Sequence, residues 1–263
     1  MPKIAISGKG GVGKSTLAAL LAYIYTQKGF KVIAVDADPD GNLAVALGFP
    51  PELVAKLTPI AKMEELIEER TGAKPGSYGL IFKMNPKVDD IPDRFSVEHR
   101  GIKLLVMGTI ERGGSGCVCP ESVLLKNLVA HLLLQRQEVL IMDMEAGVEH
   151  LGRATAKAVD AFIIVVEPGL RSLQTAHAVQ KLAADIGVRR TFVVGNKIRS
   201  QEDKDFLIAN LPGFTFLGFL SYSPLALEAD KLGKPVFELD QNLVQEAEEI
   251  VKNLEKNLYA EEN

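Results

Sequence analysis

The first residues that could do chemistry form a glycine-rich stretch, Gly8-Lys9-Gly10-Gly11-Val12-Gly13-Lys14-Ser15-Thr16. The glycines permit backbone N–H groups to turn inward and to approach phosphates closely. Lys14 can then reach the β- and γ-phosphates, and the hydroxyl of Ser15 is placed to ligate Mg²⁺. Apolar residues predict a strand over Lys3–Ser7 before this stretch and a helix over Leu17–Lys28 after it. The pattern indicates a phosphate-binding loop.

Lys9 is one lysine more than this pattern requires. Its side chain should point out of the loop rather than along the groove of Lys14, and a solvated surface lysine is the alternative. The loop after an N-terminal strand resembles the deviant Walker A (SIMIBI) type of P-loop NTPase. That group includes the nitrogenase iron protein and the septum-site and plasmid-partition ATPases. The resemblance implies a homodimer in which Lys9 crosses the two-fold interface to the partner's phosphates, as an arginine finger does elsewhere.

Three aspartates, Asp36, Asp38 and Asp40, follow the second apolar run, which predicts a strand over Lys31–Asp36. Mg²⁺ prefers carboxylate and water oxygens, and a water that attacks the γ-phosphate needs an acceptor to orient it. An Asx turn that caps the next helix is the alternative. In the deviant Walker A group the Asp before proline orients this water. The resemblance therefore implies that Asp38 is catalytic and that Asp36 is a supporting carboxylate.

Two further strand ends carry candidate nucleotide contacts. Asp143 ends the apolar run Val139–Met142, as a Walker B aspartate does when it holds Mg²⁺ through water, and Gly147 follows in a loop that could sense the γ-phosphate. Asn196 and Lys197 end another run in the manner of this group's base-binding segment. Asn196 offers a donor and an acceptor to the adenine edge, and a strand-terminal turn is the alternative. We expect ATP and Mg²⁺ as cofactors.

The two cysteines of the chain, Cys117 and Cys119, lie in one segment, GGSGCVCP. Sparse cysteine fits a reducing cytosol rather than a disulfide scaffold. Residues two apart in an extended segment project to the same side, so both sulfurs can face one point. A tetrahedral thiolate site needs four ligands, and a two-fold axis would supply the other pair. Ni²⁺ and Zn²⁺ both suit thiolate ligands. The alternatives to a metal site are that the two cysteines pack in the core, form a strained disulfide or act as a redox pair.

Nearly the whole chain resembles the CooC-type ATPases, which serve nickel delivery to carbon monoxide dehydrogenase and the related acetyl-CoA synthase. The motifs that carry this resemblance are the phosphate loop, Asp36-Ala37-Asp38, NPKVDDIP at 85–92, GCVCP at 116–120 and EADKLGKP at 228–235. The resemblance implies an ATP-dependent homodimer that binds nickel, or zinc in its place, at the shared cysteines. A partition or septum-site switch and an iron–sulfur reductase are the alternatives. No cysteine follows Asp143, which disfavours the reductase.

The elements that must position these residues alternate along the chain. Apolar, β-rich runs are separated by stretches that can hold a helix, and further strands are predicted over 101–107, 161–167, 191–196 and 215–220. This alternation predicts an α/β fold, with a mostly parallel sheet, helices on both faces and ligand at the carboxyl ends of the strands. We expect one domain over residues 1–263. Residues 71–100 interrupt the alternation of strands and helices, because Pro and Gly are frequent there. This composition predicts an irregular surface insertion that can contact a partner.

Composition excludes several classes of protein. No apolar run approaches the roughly 18 residues of a membrane span, and the N-terminus lacks the pattern of a signal peptide, so we expect a cytoplasmic protein. A net charge of −4 without a basic block argues against a nucleic-acid partner. The last helix, predicted over 242–259, lacks the basic amphipathic face of a membrane-surface anchor. The expected partners are a second copy of the chain and a nickel enzyme.

Overall fold

The structure is a computed structural model that describes residues 1–38, 41–76, 81–108, 119–148 and 151–259. Within these residues one eight-stranded sheet has the order β3-β4-β2-β5-β1-β6-β7-β8. All neighbouring strands are parallel except β3 and β4. The strands are β1 (Lys3–Gly8), β2 (Val32–Ala37), β3 (Val97–His99), β4 (Ile102–Val106), β5 (Val139–Met144), β6 (Ala161–Val166), β7 (Thr191–Ile198) and β8 (Thr215–Ser221).

Helices connect the strands and cover both faces of the sheet. They are α1 (Lys14–Gln27), α2 (Leu43–Ala46), α3 (Pro51–Val54), α4 (Glu64–Thr71), α5 (Ile91–Phe95), α6 (Pro120–Leu134), α7 (Arg153–Ala156), α8 (Leu170–Ile186), α9 (Gln201–Asn210), α10 (Pro224–Leu232), α11 (Val236–Leu239) and α12 (Gln241–Tyr259). A 3-10 turn occupies Ile60–Lys62. The predicted α/β class, with a mostly parallel sheet and helices on both faces, is confirmed.

The core consists of two apolar layers because the central strands are buried on both faces. In β1, Ile4 and Ile6 face one layer, which α1 and α12 cover, while Ala5 faces the other layer. The second layer is covered mainly by α6, α8 and α9. Continuous burial of this kind explains why the strands are read as apolar runs rather than as alternating patterns.

The described part of residues 71–100 contains two regular elements, α5 and the edge strand β3. The buried guanidinium of Arg70 donates to Asp90 Oδ2 at 2.8 Å, and Arg94 donates to the same oxygen. These two hydrogen bonds hold the pKa of Asp90 down, at about 2. The insertion is therefore anchored to α4 by ionic contacts. Among the described residues, no helix combines the length and the apolar character needed to cross a membrane.

Candidate active site

The strand order brings the predicted acidic residues beside the phosphate loop. Strand β5 lies between β1 and β2, and Asp143 is in register with Ile6 on one side and with Asp36 on the other. All three strands are parallel, so their carboxyl ends lie at the same edge of the sheet. Residues far apart in the sequence thereby share one site.

Two glycines of the loop are required by its geometry. Gly8 has a φ of 149°, and a Cβ there would lie 2.5 Å from the carbonyl oxygen of Val165. Gly13 has a φ of 97° and precedes α1, and a Cβ there would overlap the side-chain amide of Asn196. A Cβ at Gly10 would meet open space. The loop is thus packed at its two ends and exposed at its tip.

The loop lysine and the predicted catalytic aspartate form an ion pair. Lys14 Nζ lies 3.3 Å from Asp38 Oδ2, and only 7% and 15% of the two side chains are exposed. The backbone N–H of Asp38 donates to Asp36 Oδ1 at 3.3 Å. Asp38 is therefore held where Lys14 would meet the β- and γ-phosphates. Pro39 and Asp40 lie outside the described residues.

Asp36 and Asp143 are buried carboxyl groups. Burial raises the pKa of Asp36 to about 6, although the N–H groups of Leu43 and Asp38 donate to its carboxylate. Burial raises the pKa of Asp143 to about 7, and the nearby Ser15 hydroxyl lowers it only in part. Within the described part of the chain, neither oxygen of Asp143 has a hydrogen-bond partner of normal geometry.

The site fits Mg²⁺ because the buried carboxylate of Asp143 lies beside the Ser15 hydroxyl at the start of α1. Asp143 and Ser15 would hold this ion, which would supply positive charge at the phosphates. Gly147, in the loop after β5, exchanges hydrogen bonds with the buried hydroxyl of Ser7 at 3.1 Å. This contact ties the predicted γ-phosphate-sensing loop to β1.

A cavity of about 760 Å³ extends from the phosphate loop along the ends of β7 and β8 to α10. Its volume suits a nucleoside. On one wall the Arg199 guanidinium lies 3.9 Å from the centre of the Tyr222 ring. Ser15, Thr16, Asn196 and Lys197 also line it. The cavity thus continues the site on the side where the base was expected.

Asn196 and Lys197 contact the loop backbone. The Asn196 side-chain amide donates to the Val12 carbonyl at 2.7 Å, and its Oδ1 accepts the N–H of Lys197 at 2.8 Å. The Lys197 ammonium donates to the Gly11 carbonyl at 2.6 Å and to Glu167 Oε2 at 2.8 Å. The donor and acceptor that the sequence assigned to adenine are therefore engaged by protein groups.

Lys9 lies at the rim of the loop and is 38% exposed. Its ammonium is 4.0 Å from Glu167 Oε1. The proposed contact with a partner's phosphates stays a prediction.

The cysteine pair is placed only in part, because Cys117 lies outside the described residues. Cys119 is fully buried and directly precedes α6. The described residues contain no group of three or more His, Cys, Asp or Glu side chains that could hold a metal ion. Glu121, in the first turn of α6, is also buried and accepts the N–H of Gly76 at 3.3 Å. The insertion thus touches the helix that begins at the cysteines.

Comparisons with known proteins agree with this geometry. Residues 3–236 match the CbiA family, the CobQ/CobB/MinD/ParA nucleotide binding domain. The chain belongs to this family. It is 51% identical to an uncharacterized ATP-binding protein of Methanocaldococcus jannaschii, over 94% of this chain and 95% of that protein. It is 48% identical to the carbon monoxide dehydrogenase accessory protein CooC of Rhodospirillum rubrum, over 90% of each chain. The resemblance to CooC-type proteins is confirmed, and the chain is an ATPase.

A solved structure shows the same fold. The MinC:MinD cell division protein complex of Aquifex aeolicus matches with a TM-score of 0.68 at 20% identity, over 97% of this ATPase and 96% of that chain. At this identity the likeness concerns the fold alone. It agrees with the P-loop architecture that the sequence predicts.

Several site residues of this ATPase escape the sequence patterns. Glu167, Arg199 and Tyr222 line the cavity, as do three residues of the motif at 228–235, which are Ala229, Asp230 and Lys234. A signal existed for Glu167, since an acidic residue at the end of a core strand lies at the ligand edge of the sheet. The motif at 228–235 carries the resemblance to CooC-type ATPases, but its residue types alone do not predict a chemical role. Its position on the cavity wall gives it one to test.

Proposed function

We propose that this ATPase is a cytoplasmic maturation factor that assists nickel insertion into carbon monoxide dehydrogenase or acetyl-CoA synthase. The observation that carries this proposal is the 48% identity to the carbon monoxide dehydrogenase accessory protein CooC over 90% of both chains. The cysteine segment at 113–120 supports it, because a septum-site or partition switch does not need paired thiolates. Nickel is the cargo of the reaction.

The proposed chemistry uses the ion pair of the phosphate loop. Lys14 binds the β- and γ-phosphates, so that Asp38, which lies 3.3 Å from its ammonium, is released to accept a proton or hydrogen bond from the attacking water. Lys9 of one subunit supplies positive charge to the phosphates bound by its partner. Hydrolysis removes the γ-phosphate that both subunits hold, and the homodimer then loosens.

Nickel binds in this proposal to Cys117 and Cys119 of both subunits, with Zn²⁺ able to take its place. Because Cys119 is fully buried, the start of α6 must move for its thiolate to reach a shared ion. The contact from Gly76 to Glu121 supports a route for such movement through the insertion. Its exposed Ile81 and Met84 are candidates for contact with the client enzyme.

The proposal is tested with nickel-free carbon monoxide dehydrogenase and nickel-free acetyl-CoA synthase. Each client is incubated with the ATPase, Ni²⁺, Mg²⁺ and ATP, and client activity is measured. We expect that at least one client is activated. This activation should require ATP and should not occur when the Asp38→Asn variant replaces the natural ATPase. Metal analysis should find one ion per two chains, which is lost in the Cys117→Ser, Cys119→Ser double variant.

Two results would contradict the proposal. Activation of neither client by a preparation that hydrolyses ATP would remove the proposed function. Binding of one ion per chain, unchanged in the double cysteine variant, would remove the shared thiolate site while leaving the ATPase intact.

A further inference from the structure

Two side-chain contacts join the end of β7 to the backbone of the phosphate loop, and a third joins the end of β7 to the residue that follows β6. Asn196 holds the Val12 carbonyl, and Lys197 holds the Gly11 carbonyl at 2.6 Å. Glu167 accepts a second hydrogen bond from the Lys197 ammonium at 2.8 Å. Asn196 and Lys197 belong to β7 and Glu167 directly follows β6, which lies between β7 and β1; none of the three lies in the loop itself.

These contacts determine where the loop points its N–H groups. The C=O and N–H of a trans peptide unit point in opposite directions. Holding the carbonyls of Gly11 and Val12 therefore fixes the direction of the N–H groups of Val12 and Gly13, of which the N–H of Val12 donates to the Lys9 carbonyl at 3.4 Å within the loop. Such N–H groups are the ones with which a P-loop holds phosphate.

The backbone at Lys197 is strained in a way that serves this contact. Its φ of 58° is one of only two positive values at non-glycine residues in the described part of the chain. A long side chain in this region carries a conformational cost of about 1 kcal/mol or more, and such strain clusters at functional sites. The N–H of Lys197 donates to Asn196 Oδ1, which stabilises the turn that directs the ammonium back to the loop.

Glu167 is held in place to orient that ammonium. Its own backbone N–H donates to the hydroxyl oxygen of the buried Ser172 at 3.0 Å. Only 26% of the Glu167 side chain is exposed. Its carboxylate also lies 4.0 Å from the Lys9 ammonium, so this one acidic group contacts Lys197 and also lies near Lys9 in the loop.

We infer that Lys197 and Glu167 are positioning residues of the phosphate loop. Glu167 orients the Lys197 ammonium, and the ammonium holds the Gly11 carbonyl so that the loop has its phosphate-binding shape. This role differs from base recognition and does not depend on the client enzyme. It concerns the ATPase reaction of the single site.

The test uses Lys197→Met, which keeps the length of the side chain but removes the charge, together with Lys197→Arg and Glu167→Gln. Lys181→Met, an exposed change on α8, is the matched control. We measure kcat and KM for ATP and GTP and the Kd for ADP. Lys197→Met should weaken ADP and ATP binding about tenfold, as expected for one charge-assisted hydrogen bond. The change in kcat should be smaller, and the ratio of kcat/KM for ATP to that for GTP should not change.

The companion variants separate the possible outcomes. Lys197→Arg should restore most of the affinity, and Glu167→Gln should weaken ADP binding less than Lys197→Met does. Adding Glu167→Gln to Lys197→Met should have no further effect, because the two residues act through one contact. If Lys197→Met fails to fold, weaker ADP binding by Glu167→Gln with normal binding by Lys197→Arg supports the inference.

Two results would overturn it. A changed preference between ATP and GTP in a folded Lys197 variant would assign Lys197 to the base instead. If Lys197→Met and Glu167→Gln both bind ADP with normal affinity, the loop keeps its shape without these contacts. The same conclusion follows if Lys197→Met does not fold and Glu167→Gln binds ADP with normal affinity.

Discussion

The charge of the site is unevenly distributed among three carboxylates and one buried lysine. Asp38 pairs directly with Lys14, whereas Asp36 and Asp143 are buried behind that pair with raised pKa values of about 6 and about 7. Burial without full compensation makes ionisation of these two groups unfavourable. The site is therefore prepared to accept additional positive charge.

This arrangement predicts how stability depends on pH. The unfolded chain releases the protons of both aspartates near pH 4, while the folded chain keeps them to about pH 6 and about pH 7. Their stabilising contribution is thus complete below pH 4 and is lost as the pH rises through the folded pKa values. In urea unfolding measured with EDTA and without nucleotide, the free energy of unfolding of the Asp143→Asn variant should decline much less as the pH rises.

The expected difference in the free energy of unfolding between the natural protein and Asp143→Asn follows from the raised pKa of Asp143. Relative to Asp143→Asn, the free energy of unfolding of the natural protein should fall by more than about 1.4 kcal/mol between about pH 4.5 and pH 8, since one pKa unit corresponds to that amount. Asp185→Asn, an exposed change on α8, should give a curve parallel to that of the natural protein. If the Asp143→Asn curve is also parallel, the raised pKa is wrong.

Single residues of the site were predictable when the motif itself states the chemistry. Lys14, Ser15 and Asp143 could be assigned because a phosphate loop and an apolar strand that ends in Asp have fixed positions in such folds. The protein contacts of Asn196 could not be predicted from spacing, since its amide has two polar groups and the sequence does not say which protein groups reach them. The structure places both of them against protein atoms.

At the scale of elements, the insertion depends on an anchor that the sequence does not reveal. Its Pro and Gly residues predict irregular backbone, but the ionic contact between Arg70 and Asp90 spans 20 positions. Strand β3 is only three residues long, which is too short for a reliable pattern. The core strands, in contrast, were predictable because burial on both faces makes them continuously apolar.

Removing the anchor should loosen the insertion. Asp90→Asn should lower the free energy of unfolding by about 1–3 kcal/mol, because the buried guanidinium of Arg70 loses a charged acceptor. Limited proteolysis should also cut residues 73–90 faster than in the natural protein. Asp89→Asn is the matched control, since 57% of that side chain is exposed and its ion pair with Lys87 is at the surface. Equal effects of the two changes would show that the anchor contributes nothing.

At the scale of the whole molecule, the exposed rim of the phosphate loop is the proposed dimer face. Replacing Lys9 with Ala should not affect folding. The Lys9 side chain is partly exposed, and its ion pair with Glu167 is long at 4.0 Å. Lys9→Ala should weaken ATP-driven association in sedimentation velocity. It should also lower kcat by about 10³, the lower end of the effect of a charge supplied in trans.

Lys56→Ala, an exposed change after α3, should leave association and kcat unchanged. The decisive comparison is made at a dilution where the natural protein is monomeric. If both the natural protein and Lys9→Ala retain full hydrolysis there, each subunit completes its site alone and Lys9 does not cross the interface.

The position of β5 between β1 and β2 also governs when a growing chain acquires its site. The phosphate loop leads into α1 at Lys14, but β5 ends only at Met144. At about 5–20 residues per second, the ribosome needs on the order of ten seconds to synthesise the intervening chain. During that time β1 and β2 have no strand between them, and the loop lacks Asp143. The phosphate loop is therefore translated well before the aspartate that shares its site, and the nascent chain has the complete site only once β5 has been made.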